Sequence, residues 1–259
     1  MFHRVIDAHV HLDLYEESER VRILREMDKY EIDTLITVSN DLTSARKNLE
    51  LARDNGRIKA AFGFHPEQAL PEERELEELL GFIEANEQDM VAIGEVGLPY
   101  YMRKEEQDVA LQPYLELLEK FIQVAKRLED KPIVLHAVYE DAPLVCSLLE
   151  KHSIKKAHFH WFKGDPRTVE RMKENGYLIS VTPDVVYERE IQSLVKDYPL
   201  TQMMVETDGP WPFEGPFTKQ MTHPKMIHET IEKIAHIKNV ELEVAYKQIY
   251  KNTTKFYEG

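Results

Sequence analysis

A chain of 259 residues, 42% hydrophobic and 31% charged, with 10 Gly and 13 Pro, has the make-up of an ordinary globular protein. That sets aside the disordered, fibrous and membrane-spanning classes. Its 33 Lys and Arg against 47 Asp and Glu leave a net charge of −14, so the molecule as a whole repels a nucleic-acid backbone and an anionic substrate needs a local anchor. A lone cysteine, Cys146, excludes an intrachain disulfide. The opening MFHRVIDAHVHLDLYE has neither a basic lead nor a long apolar stretch, so a cytoplasmic location is the expectation. No apolar run approaches the ~18 residues of a membrane span.

Short β-branched runs alternate with longer stretches whose apolar residues recur at helical spacing. In chain order, the strand Val5 to His11 precedes a helix over Glu16 to Tyr30, and Thr34 to Val38 precedes Ser44 to Asn55. Ile58 to Phe64 precedes Glu73 to Ala85, whose acidic start, Glu72 to Glu78, reads as a solvated face with charge suited to a helix N-terminus. Met90 to Glu95 precedes Glu105 to Leu128, Pro132 to His136 precedes Ala142 to His152, and Ala157 to His160 precedes Pro166 to Asn175. Tyr177 to Val181 precedes Glu188 to Lys196, and Met203 to Asp208 precedes two helices, Pro224 to Ile237 and Glu241 to Tyr257. Asn55-Gly56 and Asn175-Gly176 predict left-handed helix stops. Eight such units, with no repeat, low-complexity tract or flexible linker, predict one domain over residues 1–259: an α/β chain folded as a (β/α)8 TIM barrel.

Chemistry-bearing residues gather at the ends of these strands. His9 and His11 are two apart on a strand, which places two imidazoles on one side, suited either to a metal ion or to mutual hydrogen bonding. Asp7 shares that face in a regular strand and is a candidate to orient an imidazole. His65, Glu95, His136, His160 and Asp208 each close a different strand, where barrel enzymes assemble their active sites. Singly, Glu95 also suits a partner for a basic side chain, His136 a core histidine and Asp208 a turn cap. Together they require the same coincidence several times. His158 faces the same way as His160; the Phe162 and Gly164 that follow favour His160 as the junction residue, with His158 one layer below. Cys146 reads as core filling.

At these residues the chain resembles the TatD family of metal-dependent hydrolases. The motifs are His9-Val10-His11-Leu12, Gly63-Phe64-His65-Pro66, Gly94-Glu95-Val96-Gly97-Leu98, His160-Trp161-Phe162-Lys163-Gly164 and Glu206-Thr207-Asp208-Gly209-Pro210. The terminal segment with Asn252 and Phe256 resembles the family's closing helix. The resemblance implies two divalent metal ions, one held by His9, His11, Glu95 and Asp208 and the other by Glu95, His136 and His160, with Glu95 bridging and His65 near the substrate phosphate. The implied activity is phosphodiester hydrolysis, typically of DNA. Catalytic roles fall to Asp208, Glu95 and His65. The His and carboxylate ligands admit Zn, Mn, Fe or Ni; imidazoles disfavour Mg, although DNases of this type often work with it.

The chain departs from the family at Pro99, where an aspartate is usual, at Ala137 to Tyr139, which lacks an arginine, at Trp161 and Lys163, and at Lys219 to Pro224. The substrate contacts therefore match less well than the ligands. Lys163 and Arg103 are candidate supplementary anchors for an anion, and Tyr100, Tyr101, Trp161, Phe162 and Trp211 are candidates for stacking or loop packing. The expected partner is DNA or a small phosphodiester, with no membrane and no obligate protein partner. Competing readings are an amidohydrolase acting on C–N or C–O bonds and a non-catalytic metal-binding scaffold.

Overall fold

The computed structural model describes residues 3–106 and 108–258. Eight parallel strands, β1 (Val5–Val10), β2 (Ile32–Thr37), β3 (Ile58–Phe62), β4 (Met90–Gly97), β5 (Ile133–His136), β6 (Ala157–Phe159), β7 (Leu178–Val181) and β8 (Met203–Val205), pair in chain order. The ends of this sheet meet just beyond β8, where the Asp208 N–H donates to the His9 carbonyl at 2.9 Å and the His11 N–H to the Gly209 carbonyl at 2.8 Å. The result is the TIM barrel read from the alternating pattern.

The helices are α1 (Glu17–Glu26), α2 (Leu42–Asp54), α3 (Glu73–Ala85), α4 (Tyr100–Glu105), α5 (Leu111–Arg127), α6 (Ala142–Lys151), α7 (Pro166–Asn175), α8 (Arg189–Asp197), α9 (Ile227–Lys238) and α10 (Leu242–Glu258). The longer helices lay an apolar stripe on the sheet; α5 buries Tyr114, Leu117, Leu118, Phe121 and Ile122, the i, i+3, i+4 pattern of a helix with one face on a core. A second, smaller cluster contains Ile6, Ala8, Ala61, Ala92, Val134 and Met204, packed against Phe256 and Tyr257 of α10. Near-continuous apolar strands follow from burial on both sheet faces. Among the described residues, no helix is long and apolar enough to cross a membrane.

Three local expectations are corrected. The helix expected over Glu105 to Leu128 is two helices, α4 and α5; within that span Gln107 lies outside the described residues. Pro113 lacks an N–H and fits only a first turn, so α5 begins at Leu111 and holds it there. Asn55 is extended (φ −141°) rather than left-handed, and its side chain accepts the Arg57 N–H at 3.0 Å to form the turn; Gly176, at φ +75°, does end α7 in the left-handed form. Asp7 orients no imidazole. The pairing of β1 with β2 shifts register between Asp7 and Val10, and a one-residue shift changes the face on which side chains lie. The Asp7 carboxylate instead accepts the Thr207 N–H at 3.0 Å and hydroxyl at 2.5 Å, tying β1 to the end of β8.

The acidic start of α3 is a cap: Glu72 and Glu75 form a reciprocal capping box. Cys146 is fully buried in α6, and burial pushes its thiol up to about 12, leaving it inert as a nucleophile.

Candidate metal centre

Strand ends aim the site. The shift in β1 turns His9 and His11 toward the barrel axis, and a second shift, between Ile93 and Val96 in the β4–β5 pairing, accompanies Glu95. Close approach of β4 to β5 requires Gly97, where a Cβ would overlap the His136 carbonyl. Asp208 adopts φ +48°, a left-handed turn that ends β8 with its carboxylate facing the imidazoles.

The structure brings all six expected ligand residues together at one barrel mouth, each less than a tenth exposed. Glu95 stands at their centre. Its Oε2 lies 3.2 Å from His9 Nε2 and 3.3 Å from His11 Nε2, and both nitrogens also face Asp208 Oδ1, at 3.3 and 3.5 Å. Its Oε1 lies 3.1 Å from His136 Nδ1 and 2.6 Å from His160 Nε2, which are 3.1 Å from each other. One carboxylate thus faces two histidine pairs with different oxygens. Despite these short separations, His9 Nε2, Glu95 Oε2 and Asp208 Oδ1 are buried with no hydrogen-bond partner. Buried polar atoms are normally paired; a knot of unpaired N and O donors is what a cation would complete.

The electrostatics agree. Burial opposes charge on every member of the cluster, but attraction to Asp208 and Glu95 outweighs it and raises His11 to about 9, and Glu67 and Glu95 do the same for His136. Against its own burial, Glu95 is held well below the usual carboxylate range by the raised His9 and His11, and Asp208 by His11 and His9. The carboxylates draw positive charge into the site. For His160 burial wins and lowers it to about 4.

His65 lies beside the cluster, Nε2 3.4 Å from Glu95 Oε1. Its Nδ1 accepts the Glu67 N–H at 3.2 Å, which leaves the proton on Nε2. Burial lowers it to about 4, so it is a neutral donor at pH 7. His158 sits below, bonded to Tyr257 and Ser180.

Three supporting acids escape a reading of strand ends. Glu67, two residues past His65, accepts from His136 Nε2 at 3.1 Å and from the Tyr101 and Met102 N–H groups at 2.8 and 2.7 Å. It thereby holds the His136 Nε2–H, so that loss of the other proton leaves the Nδ1 lone pair toward Glu95. Glu206, inside the Glu-Thr-Asp motif, accepts the Trp161 N–H at 2.7 Å and pairs with the Ser180 hydroxyl. His9, His160 and Glu206 also come within 4.8 Å of one another, but both Glu206 oxygens are already engaged. Asp184, just past β7, accepts from the Trp161 indole N–H at 2.8 Å. Glu67 and Asp184 lie close after strands β3 and β7, and that proximity is the signal that would have found them.

Above the cluster opens a cleft of about 450 Å³. Tyr101, Trp161, Trp211 and Lys163 line it. Phe162 is buried against Phe159 and Tyr100 packs on Tyr101 and Tyr139, so both serve loop packing. Arg103 is bound to Asp141 at 2.5 Å.

The sequence and the fold match known proteins. A family model described as TatD related DNase matches residues 6–258. An uncharacterized metal-dependent hydrolase of Haemophilus influenzae is 37% identical over 254 residues, 98% of this chain and 99% of its own. Human deoxyribonuclease TATDN3 is 29% identical over 262 residues, 98% of this chain and 94% of its own. The crystal structure of YjjV, a TatD homologue from Escherichia coli, matches in fold with a TM-score of 0.89 at 23% identity, covering 100% of each chain. With its barrel, its motifs in order and these full-length matches, the chain belongs to the TatD family of metal-dependent hydrolases.

Proposed function

We propose that the protein is a phosphodiesterase of the deoxyribonuclease type working at a dinuclear centre. His9, His11, Glu95 and Asp208 hold one divalent cation; Glu95, His136 and His160 hold the other. The observation that carries this reading is the division of Glu95: Oε2 toward His9 and His11, Oε1 toward His136 and His160. With four neutral imidazoles and two carboxylates, two divalent ions leave a net charge of about +2. That local charge answers the −14 of the whole chain.

When bound, such ions lower the pKa of water from 15.7 toward about 7 and stabilise charge on the attacking and departing oxygens. The chain's residues do the rest. Asp208, held anionic by His11 and His9, orients the attacking water and takes its proton. The neutral His65 Nε2–H donates to a phosphoryl oxygen as charge builds there. The burial of the ligand residues at the base of the cleft lowers the local dielectric and strengthens both interactions. The deoxyribonuclease name of the human relative supports this reaction class.

Metal analysis of the purified protein, coupled to turnover of single-stranded DNA, duplex DNA and a generic phosphodiester, tests the proposal. Two cations and phosphodiester turnover are expected. Turnover of amides or lactones with phosphodiesters untouched would replace it with an amidohydrolase. Asp208→Asn with metal retained and activity intact would remove the base role.

A further inference from the structure

The cleft over the cluster has room for one small group beside the ligand residues. Its volume of about 450 Å³ is that of a single small ligand, at the low end of the usual range for such sites. Among the described residues lining it, Lys163 is the single lysine or arginine, facing the acids Asp184, Glu188 and Glu214. Its Nζ lies 4.3 Å over the Trp161 ring. Of the neighbouring cations, Arg103 is taken by Asp141 at 2.5 Å, and Lys104 is exposed and lies 4.0 Å from Glu140.

The apolar wall is fixed in place. Trp161 is held at both ends, its backbone N–H by Glu206 and its indole N–H by the buried Asp184. Tyr101 faces it, ring centroids 6.2 Å apart and tilted by 30°, with its own N–H held by Glu67. The Tyr187 hydroxyl accepts the Glu214 N–H at 3.0 Å and latches the loops after β7 and β8 together. A rigid aromatic surface with one cation suits a planar ring next to one phosphoryl group. A strand of nucleic acid needs the opposite, a cation for each phosphate it lays down.

Resting on the phosphodiesterase reading above, we infer that this cleft takes one nucleotide-sized phosphodiester, its ring stacked on Trp161 and its phosphoryl group between His65 and Lys163, and not a DNA strand followed along its backbone. Hydrolysis consumes one water. The P–O bond from water forms as the P–O bond to the leaving alcohol breaks; one water proton ends on that alcohol and the other goes to solvent, leaving a phosphomonoester.

The metal-loaded full chain is assayed on thymidine 5′-(4-nitrophenyl) phosphate and on a long single-stranded oligonucleotide over about a tenfold range of salt. The nucleoside ester is expected to have the higher kcat/KM, with a log–log salt slope no steeper than about −1, the value for one phosphate contact. Trp161→Ala is expected to raise its KM about tenfold, the order of one lost stacking contact. Because that change also removes an anchored side chain, the exposed pair Glu188→Lys and Glu214→Lys provides a second arm. It is expected to raise oligonucleotide turnover several-fold more than nucleoside-ester turnover. An oligonucleotide preferred about tenfold, with a slope of about −3 or steeper in the parent protein, overturns the inference. Turnover of neither substrate overturns the phosphodiesterase reading itself, and with it this one.

Discussion

Two clusters lie one above the other inside the barrel, each built around histidine and carboxylate and completed in opposite ways. In the lower one, His158 Nδ1 meets the Tyr257 hydroxyl at 2.8 Å and Nε2 meets Ser180 Oγ at 2.5 Å; Tyr257 donates to the Ala8 carbonyl, and Ser180 pairs with Glu206. Both ring nitrogens have partners, and burial keeps His158 far below the usual histidine range. In the upper one, His9 Nε2, Glu95 Oε2 and Asp208 Oδ1 crowd together unpaired. A network satisfied by its own hydrogen bonds braces the barrel, whereas one left with converging lone pairs calls for a cation. Residue type does not separate a structural histidine from a ligand here; unmet hydrogen-bonding capacity does.

Substitutions test that contrast, beginning with the largest effect. Glu95→Ala removes the one residue common to both halves of the upper cluster, and a loss in kcat/KM on the order of 10³-fold or more is expected, with loss of bound metal measured by elemental analysis. His158→Ala strikes the lower cluster. It leaves Ser180 and Tyr257 short of a partner and opens a cavity, so denaturant titration should show a loss of about 2–4 kcal/mol, with metal stoichiometry unchanged. A fall in metal content with no loss of stability would erase the distinction between the clusters.

Glu67→Gln tests the support of the upper cluster. The amide still occupies the space but no longer accepts strongly from His136 Nε2, Tyr101 and Met102. Metal affinity is expected to fall about 10–100-fold, read by chelator competition, with the fold intact by circular dichroism.

Acidity provides the mildest perturbation. Without metal, His11 and His136 hold protons up to about pH 9 against an ordinary 6.5. The stabilisation they give the metal-free fold is therefore complete below pH 6.5 and fades as pH rises through 9. A cation must displace those protons, so metal affinity should climb between pH 6.5 and 9, by about tenfold per unit for each proton released. A flat profile across that window would contradict the assignment of these two histidines. The lower cluster contributes nothing to the slope, since His158 carries no proton to release.

Much of this was legible in the chain itself because barrels put chemistry at strand ends. The apolar runs located all eight strands, and the polar residues closing them, from His9 to Asp208, meet at one mouth. What stayed hidden depends on register and on contacts across the fold. Asp7 shares a face with His9 only in a regular strand, and the shift in β1 is not written in its residue types. Glu67 and Glu206 look like loop and strand acids until His136 and Trp161, 69 and 45 residues from them, are brought alongside. The break before α5 was readable, since Pro113 suits only the first turn of a helix, and apolar periodicity on both sides of it masked the signal.

Counting cations tests the division of Glu95 most directly. Purified parent protein, His136→Ala and Glu95→Ala, each shown to be folded, are loaded with zinc, desalted and analysed for metal per chain. Two ions in the parent, one in His136→Ala and none in Glu95→Ala is the predicted pattern; two ions retained by folded Glu95→Ala would contradict a shared carboxylate at the heart of the site.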